Sequence, residues 1–204
     1  VRDLLLTAGA TRNPVDAIRY LSAHATGRTG VDIAARLGGT HRVHLLGSAE
    51  ACLRAPPGLS TEEFTSTRDL MARMERWITT HPHGVVIHSA AVGDYEAEPV
   101  KSKIASGAPE LVLRLQPGPK IVDHVRTWAQ DVFLVSFKAG APELTPPELE
   151  AIARRQLERT RSDLVFANVI GALETSVLLV GPRETTAYPR RADALTALCE
   201  RLPR

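Results

Sequence analysis

Leu4-Leu5-Leu6-Thr7-Ala8-Gly9-Ala10-Thr11 is the stretch whose reading decides the fold. Its apolar run leaves no room for polar alternation, the pattern of a strand covered on both faces, and it ends in small residues that let the backbone turn sharply beside a ligand. Working outward, Thr26-Gly27-Arg28-Thr29-Gly30 opens a helical stretch to about Leu37, with Ile33, Ala34 and Leu37 on its apolar side, and Val43 to Leu46 reads as the next strand. The unit then repeats. Ser66 and Asp69 form a capping-box-like start before Leu70, Met71, Met74, Trp77 and Ile78, and Val85-Val86-Ile87 follows as a buried strand. Pro119 opens a helix carrying Ile121, Val122, Val125 and Trp128, which feeds the strand Val132 to Phe137. Thr145-Pro146-Pro147-Glu148 is a clearer capping box before Leu149, Ile152, Ala153 and Leu157, leading into Leu164-Val165-Phe166. Helices alternating with buried strands predict an α/β fold of the Rossmann-like, three-layer kind with a mostly parallel central sheet.

Two stretches break the rhythm. Glu110 to Leu115 alternates polar and apolar residues, which predicts a strand in a protruding antiparallel arm, and Ser176 to Val180 with Thr185 to Tyr188 predicts a hairpin on the sheet edge. A final helix presents Leu195, Leu198, Cys199 and Leu202. No linker separates units, so residues 1–204 are expected to form a single domain.

Composition narrows the partners. Twenty-five Lys and Arg against 23 Asp and Glu give a formal net charge of +2, with no electrostatic reason to expect nucleic acid or a polyanionic membrane. Cys52 and Cys199 are too few for a disulfide scaffold and lack zinc spacing, and no apolar run approaches the ~20 residues that span a bilayer. A cytoplasmic protein is expected.

In a doubly wound sheet, ligands sit beyond the carboxyl ends of the strands. Gly9 and Thr11, the run Ser89-Ala90-Ala91-Val92-Gly93-Asp94, Phe137-Lys138 and Ala167-Asn168 all fall there. GxGxxG and GxxxxGK[ST] are absent, which supports neither a usual nicotinamide site nor a Walker ATPase. Gly9, Thr11, Gly27 and Gly30 offer backbone amides and a hydroxyl to phosphate oxygens, although ordinary turn chemistry explains the same glycines. Asp94 follows residues small enough to give access, and its carboxylate suits a Mg²⁺–phosphate or a ribose hydroxyl; a turn-capping Asp is the plain alternative. Lys101 and Lys103 sit in a Pro/Gly-containing loop, where an ammonium can reach charge developing on phosphoryl or acyl oxygens. Lys120 stands at a helix start, unfavourable for a cation unless an anion offsets it. Lys138 directly follows a buried strand. His88 occupies a buried strand position and reads as a satisfied core imidazole. Ser89 lacks the GxSxG elbow of a hydrolase.

Taken in order, these strings resemble the phosphopantothenoylcysteine synthetase family, also called phosphopantothenate–cysteine ligases, in its monofunctional form. Thr7 to Tyr20 is similar to the family's opening segment, Ser89 to Tyr95 to its AAVxDY motif, and Lys103-Ile104 to its mobile lysine loop. Pro119-Lys120-Ile121, Ser136-Phe137-Lys138 and Asp163 to Asn168 are similar to its later strings. The resemblance implies joining of 4′-phosphopantothenate to cysteine in coenzyme A synthesis, through an acyl-nucleotidylate made from CTP or ATP with Mg²⁺, by a homodimer. It implies catalytic roles for Lys103 and Asp94 and a nucleotide set of Gly9, Thr11, Gly27, Gly30, Ala91, Asp94, Lys103 and Phe137. Arg19, Lys120, Lys138 and Asn168 are the implied substrate contacts, and no residue is assigned as a metal ligand. The chain departs from the family pattern at Ala23, Ala25, Gln156, Thr160 and Val169. The alternative is therefore a nucleotide- or phosphoester-binding homologue with altered or lost ligase activity.

Overall fold

Every apolar run singled out above becomes an interior strand in the computed structural model, which describes residues 1–172 and 174–204. In chain order the elements are β1 (Arg2–Ala8), β2 (Arg12–Pro14), β3 (Tyr20–Ser22), α1 (Arg28–Leu37), β4 (His41–Gly47), α2 (Ala49–Leu53), β5 (Ser60–Glu63), α3 (Thr67–Thr80) and β6 (Val85–His88). There follow β7 (Tyr95–Ala97), β8 (Leu115–Pro117), α4 (Ile121–Trp128), β9 (Phe133–Gly140), α5 (Pro146–Thr160), β10 (Leu164–Val169), β11 (Val177–Val180), β12 (Thr185–Tyr188) and α6 (Arg191–Glu200). The central sheet runs β12-β11-β10-β9-β6-β1-β4-β5. Its six members from β10 to β5 are mutually parallel, and the β11–β12 hairpin closes one edge antiparallel, where the sequence places it.

Because successive strand residues face opposite sides, β1 feeds two cores. Leu4, Leu6 and Ala8 pack with Ile33 and Leu37 of α1 and with Leu195 and Leu198 of α6. Leu5 packs on the other side with Leu70, Met74 and Ile78 of α3 and with Ile121 and Val125 of α4. Leu149, Ala153 and Leu157 of α5 cover Val165, Leu178 and Val180. The result is a three-layer α/β/α sandwich of Rossmann or flavodoxin-like type, with smaller antiparallel sheets β2–β3 and β7–β8.

The helix starts follow their capping chemistry. The Ser66 hydroxyl accepts from the Asp69 N–H, and Glu148 accepts from both the N–H and the hydroxyl of Thr145. The arm is the main difference from expectation. Residues 110–114 alternate but are exposed and form no strand; the arm pairs Leu115–Pro117 with Tyr95–Ala97 instead. Alternation is a signal only where one face has something to bury against, and Leu111 and Val112 lie 54% and 71% exposed.

At the amino ends of β9 and β10, Arg126 of α4 ties the segments 130–132 and 161–163 together. Its guanidinium donates to the carbonyls of Gln130, Val132 and Arg161 and to the Asp163 carboxylate at 2.6–2.9 Å. Arg126→Met leaves those acceptors, of which only the Val132 carbonyl is buried, without their donor, and we expect a loss of about 2 kcal/mol in urea unfolding at unchanged m-value. An unchanged midpoint would show that the knot contributes nothing net.

Candidate functional site

The carboxyl ends of β1 and β6 are joined beyond the strands themselves. Ala91 donates to the Gly9 carbonyl at 2.8 Å, Thr11 N–H donates to the Ala91 carbonyl at 3.1 Å, and Gly93 N–H donates to the Thr11 hydroxyl at 3.1 Å. The Thr67 hydroxyl also donates to Thr11, whose side chain is fully buried. Thr11 thus holds the floor formed by the ends of β1 and β6 together from within.

Gly9, Gly27 and Gly30 converge on this floor. Gly9 and Gly27 have φ of +93° and +79°, a region that favours glycine, and neither has room for a side chain. A Cβ at Gly9 would lie 2.0 Å from Ser48 Oγ, one at Gly27 would lie 2.7 Å from Ala51 Cβ, and one at Gly30 would lie 2.5 Å from Ala8 Cβ. The glycines therefore let α1 and the loop before α2 close onto the end of β1. Ala91 lies beside them, paired with Ala10.

A second cluster stands at the ends of β9 and β10. The register sets Phe137 beside Phe166 and Lys138 beside Ala167. The two rings stack with centroids 4.7 Å apart, and the Arg191 guanidinium lies 5.1 Å from the Phe166 centroid. Arg191 donates to Thr29 Oγ1 at 2.8 Å and contacts Asn168 Oδ1 at 3.4 Å, linking α6, α1 and β10. Burial lowers the Arg191 pKa, opposed by the charges of Glu174 and Asp32. Asn168 is buried and Lys138 half-buried.

The remaining candidates lie around the rim. Asp94 is exposed, with its carbonyl accepting from Gly118, two residues before the exposed Lys120 that precedes α4. Lys103 is exposed on a segment held against the β2–β3 hairpin, and Arg19 of that hairpin reaches the Ile104 carbonyl at 3.3 Å. Ala23 is exposed and Ala25 half-buried between β3 and α1. Gln156 and Thr160 are buried among hydroxyls: Gln156 donates to Ser136 and to the Phe137 carbonyl, and Thr160 donates to the Gln156 carbonyl. These two side chains serve the α5–β9 seam. Among the described residues no three His, Cys, Asp or Glu side chains gather as a metal centre.

Three contributors escaped the sequence reading: Arg191, because nothing in the string Pro189-Arg190-Arg191 shows that it returns to Asn168; Asp16, which reads as one more loop carboxylate; and Thr7. The Thr7 hydroxyl accepts from Ala90 N–H at 3.1 Å and shares a 2.9 Å hydrogen bond with His88 Nδ1. Burial disfavours the charged ring and lowers the His88 pKa to about 4.

Comparison with known proteins places this geometry. Residues 1–187 match the family described as DNA/pantothenate metabolism flavoprotein C-terminal domain. The coenzyme A biosynthesis bifunctional protein CoaBC of Thermococcus kodakarensis is 36% identical over 208 residues, covering 98% of this chain and 49% of that protein. The chain thus spans about half the length of this curated relative. The DNA/pantothenate metabolism flavoprotein from Streptococcus pneumoniae superposes with a TM-score of 0.86 at 26% identity, covering 98% of this chain and 97% of that one. The Cab2 mutant H337A in complex with phosphopantothenate-cysteine gives 0.80 at 17% identity, over 98% and 86% of the two chains.

These matches correct the sequence reading. A monofunctional synthetase using CTP or ATP with Mg²⁺ gives way to the C-terminal domain of a flavoprotein family whose curated relatives are bifunctional. The ligase activity, the triphosphate cosubstrate and Mg²⁺ are withdrawn with it. The description raises the question of a flavin, and the residues of this mouth do not fit one. The rings of Phe137 and Phe166 stack on each other, and the side-chain space at Gly9, Gly27 and Gly30 is filled by Ser48, Ala51 and Ala8.

The buried His88 makes one prediction. Its folded pKa lies below the unfolded value near 6.5, so between about pH 6.5 and 4 the unfolded chain binds the extra proton. Stability contributed by the neutral ring is complete above about 6.5 and declines by up to about 3 kcal/mol as the pH falls to about 4. His88→Gln should flatten that part of the stability–pH curve; an identical slope in the variant would assign it to other groups.

Proposed function

Because this chain belongs to the family described as DNA/pantothenate metabolism flavoprotein C-terminal domain, we propose that it serves coenzyme A biosynthesis by holding a phosphoester of the phosphopantothenate-cysteine type at the carboxyl ends of β1, β6, β9 and β10. Of the two readings open in the sequence, this is the one outside ligase activity.

The observation that carries it is the arrangement of cations around a small-residue floor. Lys138 and Arg191 belong to the β9–β10 side, Lys120 to the rim near Asp94, and Lys103 to the segment tied to the β2–β3 hairpin. A phosphate monoester dianion calls for mobile ammonium groups, and a pantothenoyl arm calls for amide partners such as Asn168. The floor of Gly9, Ala10 and Ala91 presents main chain rather than bulky side chains. The ligand class is the one in the description of the Cab2 structure, a protein with the same fold. No described helix is long and apolar enough to cross a membrane.

Titration calorimetry with phosphopantothenate-cysteine and its dephosphorylated counterpart tests this reading. We expect binding only of the phosphorylated compound at micromolar concentration. Lys103→Ala and Lys120→Ala should each weaken it about tenfold, which is about 1.4 kcal/mol. Equal affinity for the two compounds, or no binding of either, would overturn the proposal.

A further inference from the structure

Among the described residues, Asp16 is the one carboxylate whose side chain is fully removed from solvent while its ion-pair partner, Arg19, stays exposed. Its two oxygens do different work. Oδ1 accepts from the N–H groups of Ile18 at 2.9 Å and Arg19 at 2.8 Å, which shapes the turn between β2 and β3. Oδ2 accepts from the Ile104 N–H at 3.0 Å, across the molecule, and from the Arg19 guanidinium. Arg19 in turn donates to the Ile104 carbonyl, and Val100 N–H donates to the Val15 carbonyl at 3.0 Å. Segment 100–104, which carries Lys101 and Lys103, is therefore fastened at both ends to the 15–19 turn.

The fastening continues a longer seam. The chain leaving β1 and the chain leaving β6 run side by side from the Gly9–Ala91 contact, through Thr11–Gly93, to Val15–Val100 and Asp16–Ile104. Both lysines are exposed, so they bury too little to fix themselves.

We propose that Asp16 is a positioning residue that fastens the lysine-bearing segment 100–104 to the exit of β1, presenting Lys101 and Lys103 to an anion at the strand ends. The anion is the phosphoester of the preceding reading, on which this part of the proposal rests. Burial alone would raise the Asp16 carboxyl; the N–H donors of Ile104, Ile18 and Arg19 and the Arg19 guanidinium outweigh it and hold the pKa at about 2. The carboxylate accordingly stays ionised well below the usual carboxylate range.

Asp16→Asn separates the two halves of the device. With its amide oxygen in the Oδ1 position, Asn still accepts from Ile18 and Arg19, but its NH₂ group faces the Ile104 N–H and can accept from neither that donor nor the guanidinium. We expect tryptic cleavage after Lys101 and Lys103 to accelerate about tenfold through local opening, while cleavage after Arg54 and the thermal midpoint stay as in the wild type. In calorimetry the variant should lose about tenfold in affinity for phosphopantothenate-cysteine, and Asp16→Ala, which also removes the turn, should do no better. Wild-type cleavage rates in Asp16→Asn, acceleration equal to that at Arg54, or unchanged affinity in the variant of a wild type that binds would each overturn the proposal. If the wild type itself binds neither compound, the phosphoester reading fails, and the cleavage pattern alone decides whether Asp16 fastens the segment.

Discussion

The pairing of β1 with β6 continues past the ends of both strands, and the site depends on that continuation. Two chains diverging from a sheet would expose main-chain N–H and C=O groups at a place where helices α1 and α3 already exclude water, and each buried group left unpaired would be costly. Here the Gly9, Ala91 and Thr11 backbones pair directly, and the Thr11 hydroxyl accepts from Gly93 where the backbone spacing no longer allows it. A valine of the same shape would pack equally well but leave the Gly93 N–H without that acceptor. The cleft floor is thus fixed by hydrogen bonds made within the protein, and the outer segments inherit their direction from it.

Much of the fold was legible because it rests on local signals. The continuous apolar runs at Leu4–Leu6 and Val85–Ile87, the Thr145–Glu148 box and the terminal hairpin each declare themselves within a few residues. What escaped is what depends on distant partners. The strand Ser60–Glu63 carries no apolar pattern, since it lies at the sheet edge, where its Glu62 collects Arg73, Arg76 and His44 instead of a core. The short β2–β3 and β7–β8 pairs are too brief to show a period. The site was legible in place but less so in composition: the strand-end rule located Gly9, Ala91, Phe137 and Asn168, whereas Arg191 reaches Asn168 only because α6 packs beside α1.

The glycines and the cations divide the work differently from what their sequence positions suggest. A glycine-bearing loop before a helix reads as a phosphate cradle, yet the side-chain space at Gly9, Gly27 and Gly30 is occupied by Ser48, Ala51 and Ala8, so close packing accounts for these residues without a ligand. On the proposed phosphoester reading, anion recognition falls to groups that packing does not explain. Lys103 and Lys120 bury little, and Lys138 sits half-buried at the end of a strand, where a neutral side chain would serve packing as well. Mobile cations around an immobile, neutral floor suit a ligand whose charged end is compact and whose remainder is a flexible amide chain, because the charge is met by side chains that can follow it while the chain lies along fixed backbone. On that reading, specificity rests on how firmly the cation-bearing segments are held, which gives the buried Asp16 carboxylate a part beside the lysines whose segment it fastens.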